Sequence, residues 1–246
     1  MSEILQIAKA GWLETATLNR PERLNAINQP LATALLAYFE SKRRDTDTRV
    51  IILAGVGRAF CAGADLKAMG QPDMLRDGPN GDWVLRDTLK VMRDCPQPII
   101  ALVQGSAAGG GLALALAADV IVAAENAAFH PAFIKIGLSG SELGVSWRLQ
   151  RTIGISRARE MLLTGQPMSA ADALQTGLVS RVVPDGELSK HGLELAEAML
   201  RAAPDALRVS KRTFDATLEI NSFSAALELE ERGQIQMIRA GRSKKD

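Results

Sequence analysis

Cysteine is scarce in this chain: Cys61 and Cys95 stand alone among 246 residues. Two lone thiols at that spacing make no metal motif. Charge of either sign is not in excess. There are 29 Lys and Arg against 28 Asp and Glu, a net charge of +1, which gives no electrostatic case for nucleic acid or an anionic membrane as partner. Long apolar runs are missing too. The longest, Gly109 to Ala118, is too short to cross a bilayer. The N-terminal MSEILQIAKAGW has no basic segment leading into an apolar run, so it does not read as a signal peptide. These absences predict a soluble, cytoplasmic protein with reduced thiols. No internal repeat and no low-complexity segment occurs.

What is present is ordinary for a globular protein: 47% hydrophobic and 23% charged residues. A chain of this length buries roughly 70–75% of its unfolded surface and needs no staple. The small basic clusters, SKRRD at 41–45 and RSKKD at 242–246, read as solvated helix ends, where cations suit the dipole.

Strand-like and helix-like segments alternate over the first two-thirds. Strands are predicted at 11–18, 49–54 (RVIILA), 99–103 (IIALV) and 120–123, and helices at 30–44, 84–93 and 112–118. The polar stretch MGQPDMLRDGPNGD (69–82) reads as a long loop. Beyond about Gly144 the pattern turns helical: 147–153, 157–163, 169–176, 186–203, 205–219 and 223–240, with one strand at 178–183. This order predicts an α/β core with a helical tail.

One stretch breaks the local rules. GSAAGGGLALALAAD (105–119) sets three glycines where a buried helix begins, although each Gly costs a helix about 1 kcal/mol relative to Ala. Gly105-x-Ala107-x-x-Gly110, with Glu125 downstream, is a degenerate dinucleotide-binding pattern. Glycines at a helix start also let a substrate oxygen approach bare N–H groups backed by the helix dipole. Close packing of helix on strand is the third reading. A second strand-to-helix turn, RAFCAGADL (58–66), places Ala62, Gly63 and Ala64 in the same way. Two such turns in one core supply one N–H each.

Five segments in order resemble the enoyl-CoA hydratase/isomerase family, the crotonase superfamily: LNRPERLNAIN (18–28), GRAFCAGADL (57–66), PIIALVQGSAAGGGLALALAADVIVA (98–123), RTIGISRAREMLLTG (151–165) and SAADALQTGLVSRVVP (169–184). The resemblance runs from about Trp12 to Met237. It implies a crotonase-like spiral of ββα units over 1–185, holding an acyl-CoA site. A helical region over 186–246 is implied to assemble trimers or dimers of trimers. It implies an acyl-CoA thioester substrate and no cofactor beyond the coenzyme A that the substrate carries. By the motif, the N–H groups of Ala64 and Gly110 hold the thioester oxygen and its enolate. Arg23, Leu24 and Ala26 match the loop that meets the pantetheine and diphosphate, and Ala62, Asp65 and Leu66 match the rim around the adenine. Asp65 reads as capping, and Arg23 as either a phosphate partner or a solvated turn residue.

The chain departs from the hydratases of that family at both of their glutamates. One would sit three residues after the middle glycine, where Ala113 stands; the other falls at Phe133 in AAFHPAFIKIG (127–137). The usual two-carboxylate machinery for adding water is therefore absent. Glu142, in GLSGSELGVSWRL (137–149), falls six residues before Arg148. There the dienoyl-CoA isomerases and chlorobenzoyl-CoA dehalogenases of the family carry a catalytic aspartate. The competing reading is a helix-start carboxylate held by the dipole. His130 is a further proton-transfer candidate beside a structural role. Ser139, Ser141 and Trp147 are candidate acyl-pocket residues, and Cys61 a packing residue. Many relatives continue past the last helix into a segment that touches a neighbour's coenzyme; here the sequence ends at SKKD, so the resemblance leaves that part of the coenzyme A site either missing or supplied otherwise. Three functions remain open on the sequence: hydration or double-bond isomerisation of an enoyl-CoA, a thioester hydrolase or dehalogenase using Glu142, and a catalytically silent acyl-CoA binder.

Overall fold

Val50–Gly55 (VIILAG) and Ile99–Val103 (IIALV) are apolar on both faces, the composition of strands covered on both sides. In the computed structural model, which describes residues 3–67 and 84–242, they are central in a six-stranded sheet. The strands in chain order are β1 (Leu5–Ala10), β2 (Leu13–Leu18), β3 (Val50–Gly55), β4 (Ile99–Val103), β5 (Ser106–Ala108), β6 (Val120–Ala124), β7 (Ala128–His130), β8 (Met168–Ser169) and β9 (Arg181–Val183). The helices are α1 (Gln29–Lys42), α2 (Val84–Asp94), α3 (Gly110–Ala117), α4 (Val145–Ile153), α5 (Ile155–Thr164), α6 (Ala170–Gln175), α7 (Leu188–Leu200), α8 (Pro204–Thr217) and α9 (Phe223–Arg242). The polar stretch 69–82 lies outside the described residues, as do 243–246 of the basic terminus.

The large sheet runs β1-β2-β3-β4-β6-β9, parallel throughout except for the β1–β2 hairpin. Alternation along each strand divides its side chains between two layers. Ile51, Leu53, Ile99, Ala101 and Val103 enter a core shared with α1, α2 and α3. Val50, Ile52, Ile100, Leu102 and Val122 face the other way, under Leu188 and Ala196 of α7. Gly192 of α7 allows that contact: a Cβ there would lie 2.7 Å from Leu102 Cδ2.

After each of three central strands the chain enters a second, smaller layer before its helix. β4 leads to β5 and then α3, and β6 leads to β7. β3 leads to the turn in which Cys61 bridges Ala107 and Ala64 bridges Ile27. In the small sheet β5 pairs in parallel with β7, and β7 antiparallel with β8. This repeated strand, short strand, helix is the ββα spiral. It stacks the turns that follow successive strands on one side of the molecule.

Several features depart from the sequence reading, the short strands β5 and β7 among them. β1 was not anticipated, because only Leu5 of LQIAKA is buried and the strand lacks clean alternation. Lys42, in the cluster read as a solvated helix end, is buried instead. Its Nζ lies 2.7 Å from Glu14 and 2.8 Å from Asp45. Burial pushes the Asp45 carboxyl up, but hydrogen bonds from Lys42 and Thr48 outweigh it and hold Asp45 well below the carboxylate range. Lys211 of α8 is likewise buried, donating to the carbonyls of Met92 and Gln97 and to Asp119 at 2.8 Å. Among the described residues no helix is long and apolar enough to cross a membrane.

Both cysteines sit in the core. Burial pushes the Cys61 thiol up to about 12 and raises that of Cys95. Since the thiolate is the reactive form, neither thiol in the folded protein is expected to react with Ellman's reagent at about pH 8, and both to react in denaturant. Rapid labelling of a thiol before unfolding contradicts this packing.

Candidate active site

The three glycines at the start of α3 do three different things. Gly109 adopts φ +50° and ψ −114°, a conformation that a side chain would strain. Its N–H donates to the His130 carbonyl at 2.9 Å. Gly111 packs directly on the Cys61 carbonyl, where a Cβ would lie 2.2 Å from the oxygen. Gly110, between them, opens α3. Close packing therefore accounts for one glycine and backbone conformation for another, and the middle one presents its amide. Gly105, from the dinucleotide-like pattern, is also a packing residue, since a Cβ there would lie 2.0 Å from the Arg58 carbonyl.

The turn 61–64 meets the turn 108–111 backbone to backbone. A Cβ on Gly63 would lie 2.5 Å from the Ala108 carbonyl and 3.3 Å from the Gly110 nitrogen. No described residue accepts a hydrogen bond from the Ala64 or Gly110 N–H. Both residues line one cavity of about 250 Å³. Two unmatched amides converging on a cavity, one at a helix N-terminus, form a binding place for an oxygen that carries or develops negative charge.

Glu142 lines the same cavity. It precedes α4 by three residues, across a sharp bend in which Leu143 holds φ +50° and Gly144 φ +73°. Its carbonyl accepts from Val145 N–H, and its Oε1 accepts from Leu143 N–H at 3.2 Å. Its other carboxylate oxygen has no partner among the described residues. Glu142 stands just before α4, which begins at Val145 behind Gly144, and its side chain makes no hydrogen bond to the first turn of that helix. A half-buried carboxylate with one uncommitted oxygen, facing a cavity with two free N–H donors, is equipped to take and return a proton beside a developing oxyanion.

The other sequence candidates divide. Ala62, Leu66 and Ser139 line the cavity. Asp65 is held in an ion pair with Arg20 at 3.1 Å. Arg23, Leu24 and Ala26 do not line the cavity. Arg23 is exposed at the end of a 3-10 turn, the Leu24 carbonyl accepts from Ala62 N–H, and the Ala26 carbonyl accepts from Arg20. His130 lies outside the lining; burial and the nearby Lys135 disfavour its charged form. Ser141 is exposed and bonds Ser146, and Trp147 lines a neighbouring cavity instead. Cys61 packs, as expected. Phe133 is buried and forms part of the wall, while Ala113 faces the neighbouring cavity. Ile27, Gln29, Leu85 and Leu138, to which sequence reasoning assigned no role, are also in the lining. Only Ile27 had a usable signal, its place within LNAIN.

Gly111→Ala tests the backbone contact. Its Cβ meets a carbonyl, which cannot swing aside, so a loss of about 3 kcal/mol or more is expected, or roughly 6–12 °C in Tm. Gly186→Ala, with nothing within 4 Å, should be nearly neutral. Equal melting of the two variants contradicts the contact.

Comparison with known proteins agrees with this geometry. The Enoyl-CoA hydratase/isomerase family model matches residues 11–245. The chain is 40% identical over 225 residues to the "Probable enoyl-CoA hydratase EchA12" of Mycobacterium tuberculosis, covering 89% of this chain and 79% of that protein. It is 40% identical over 223 residues to the carnitinyl-CoA dehydratase of Salmonella typhi, covering 89% and 83%. The crystal structure of a monofunctional enoyl CoA isomerase from M. smegmatis superposes with TM-score 0.79 at 38% identity, covering 91% of this chain and 98% of that one. With two strand-end turns presenting paired amides and a match over nearly its whole length, the chain belongs to the enoyl-CoA hydratase/isomerase family, whose members process acyl-CoA thioesters.

Proposed function

We propose that this protein shifts a double bond in an enoyl-CoA thioester, with Glu142 as the single proton carrier. One observation carries the reading. Glu142 shares a cavity with the free N–H groups of Ala64 and Gly110, while Ala113 and Phe133 occupy the places of the hydratase glutamates. The thioester oxygen binds the two amides. The Glu142 carboxylate takes a proton from C2 of a 3-enoyl group. The electron pair moves onto the thioester oxygen as an enolate, held by the amides. The same carboxyl returns the proton at C4, leaving a 2-enoyl thioester. No water is activated, so one carboxylate is enough. Each amide of this kind is worth ~3–4 kcal/mol of transition-state stabilisation.

The same proposal covers the surroundings. Coenzyme A enters as part of the substrate, past the Ala62 and Leu66 rim, with the exposed Arg23 free to meet a phosphate and Leu24 and Ala26 shaping that loop. No further cofactor is invoked. The exposed Phe214 of α8 and Phe223 and Ile238 of α9 support assembly into a homotrimer or a dimer of trimers, in the cytoplasm.

Glu142→Gln keeps the side-chain shape and removes the base. Conversion of a 3-enoyl-CoA to the 2-enoyl-CoA should fall by about 10²–10⁴-fold in kcat, with KM for the thioester little changed. Unchanged kcat sinks the role of Glu142. Release of free coenzyme A without isomerisation points instead to the hydrolase reading. Binding without turnover of any enoyl-CoA leaves the silent binder.

A further inference from the structure

A second cavity, of about 340 Å³, shares the walls Glu142 and Leu143 with the first. Ala113 lines it, so the small side chain at a hydratase carboxylate position leaves room beside Glu142. The two cavities thus adjoin at Glu142 and Leu143, beside the amides of Ala64 and Gly110 in the first.

The second cavity is cationic. Arg86, Lys90, Arg93 and Arg148 all contribute to its wall, and its one lining carboxylate is Glu142, at the boundary. Arg93 is committed to Asp215 at 2.6 Å and lies over the Trp147 ring. Lys90 is exposed and near Asp87. Arg148 differs. It is half-buried, and its guanidinium makes no hydrogen bond or ion pair with a described residue. Burial, and then the Arg93 charge, disfavour its cationic form, yet a guanidinium in a protein does not give up its proton. The two carboxylates that favour its charge are already taken, Asp215 by Arg93 and Asp119 by Lys211. A desolvated cation with five donors, facing a cavity and lacking a partner, is a place for a planar anion.

We propose that the second cavity takes the far end of the acyl group and that Arg148 pairs there with a terminal carboxylate, so that the preferred substrates are mono-CoA thioesters of dicarboxylic acids. The inference rests on the proposed reading only for the position of the thioester. Discrimination comes from both sides: a carboxylate gains a bidentate partner, and a cationic terminus meets like charge.

The test measures binding, not chemistry. Affinities of the full-length protein for hexanoyl-CoA and for the mono-CoA thioester of hexanedioic acid are compared by calorimetry, with the octanoic and octanedioic pair as a second length. The acid-terminated thioester should bind at least tenfold tighter at one of the two lengths, about the gain of one charge-assisted contact. An ammonium-terminated thioester should bind more weakly than the methyl-terminated one. Arg148→Gln should bring the acid-to-methyl ratio close to one, a change that a purely structural role for Arg148 would not produce. Should that variant fail to fold, the wild-type preference and the ammonium penalty decide alone. Equal or weaker binding of the acid-terminated thioesters at both lengths overturns the proposal, and so does a ratio that survives Arg148→Gln. A protein that prefers the diacid thioester but isomerises nothing fails the isomerase reading alone. One that isomerises methyl-terminated enoyl-CoA without preference fails this inference alone.

Discussion

The Cys61 carbonyl holds the site together. It accepts from the Ala108 N–H at 2.9 Å, while the Cys61 N–H donates to the Ser106 carbonyl at 3.0 Å. The turn after β3 is thereby bonded to the turn after β4, and Gly111 lies against the same carbonyl. With these two backbones locked, the N–H groups of Ala64 and Gly110 have no acceptor among the described residues, and both residues line the cavity. A ligand oxygen, or water in its place, can supply the acceptor that these amides lack. The ββα spiral serves this contact by bringing successive strand-end turns to one side of the sheet.

Neither Ala113 nor Phe133 carries a carboxylate: Phe133 adds apolar wall to the cavity, and Ala113 lines the neighbouring one. Glu142 reaches the site from a different segment, before α4, over a bend in which Leu143 takes a left-handed conformation that costs a β- or γ-substituted residue about 1 kcal/mol or more. Strain at that point aims the carboxylate at the cavity shared with the amides. The same bend places Leu143 in the lining of both cavities.

Much of this was legible in the sequence, and the rest has physical reasons for being hidden. The central strands announced themselves because both faces are apolar, and the paired glycine turns because glycine inside a helix start demands a cause. Ala64, Gly110 and Glu142 were named from motif and spacing, and the structure gathers them into one cavity. β1 was missed because an edge strand need not alternate. β5 and β7, three residues each, carry too few side chains for a period. The burial of Lys42 and the lack of a partner for Arg148 depend on which distant carboxylates are already engaged, and no local pattern encodes that. Asp65 carries a family position, yet its side chain is held by Arg20 across the turn, again a pairing between residues far apart in sequence.

The central claim is that two amides and one carboxylate converge on one thioester. A crystal structure of the protein with a non-reactive acyl-CoA analogue tests it most directly. The account predicts the thioester oxygen at ~2.7–3.1 Å from both the Ala64 and Gly110 nitrogens, with the Glu142 carboxylate facing C2 of the acyl group. A bound analogue whose carbonyl touches neither amide, or whose C2 faces away from Glu142, contradicts it.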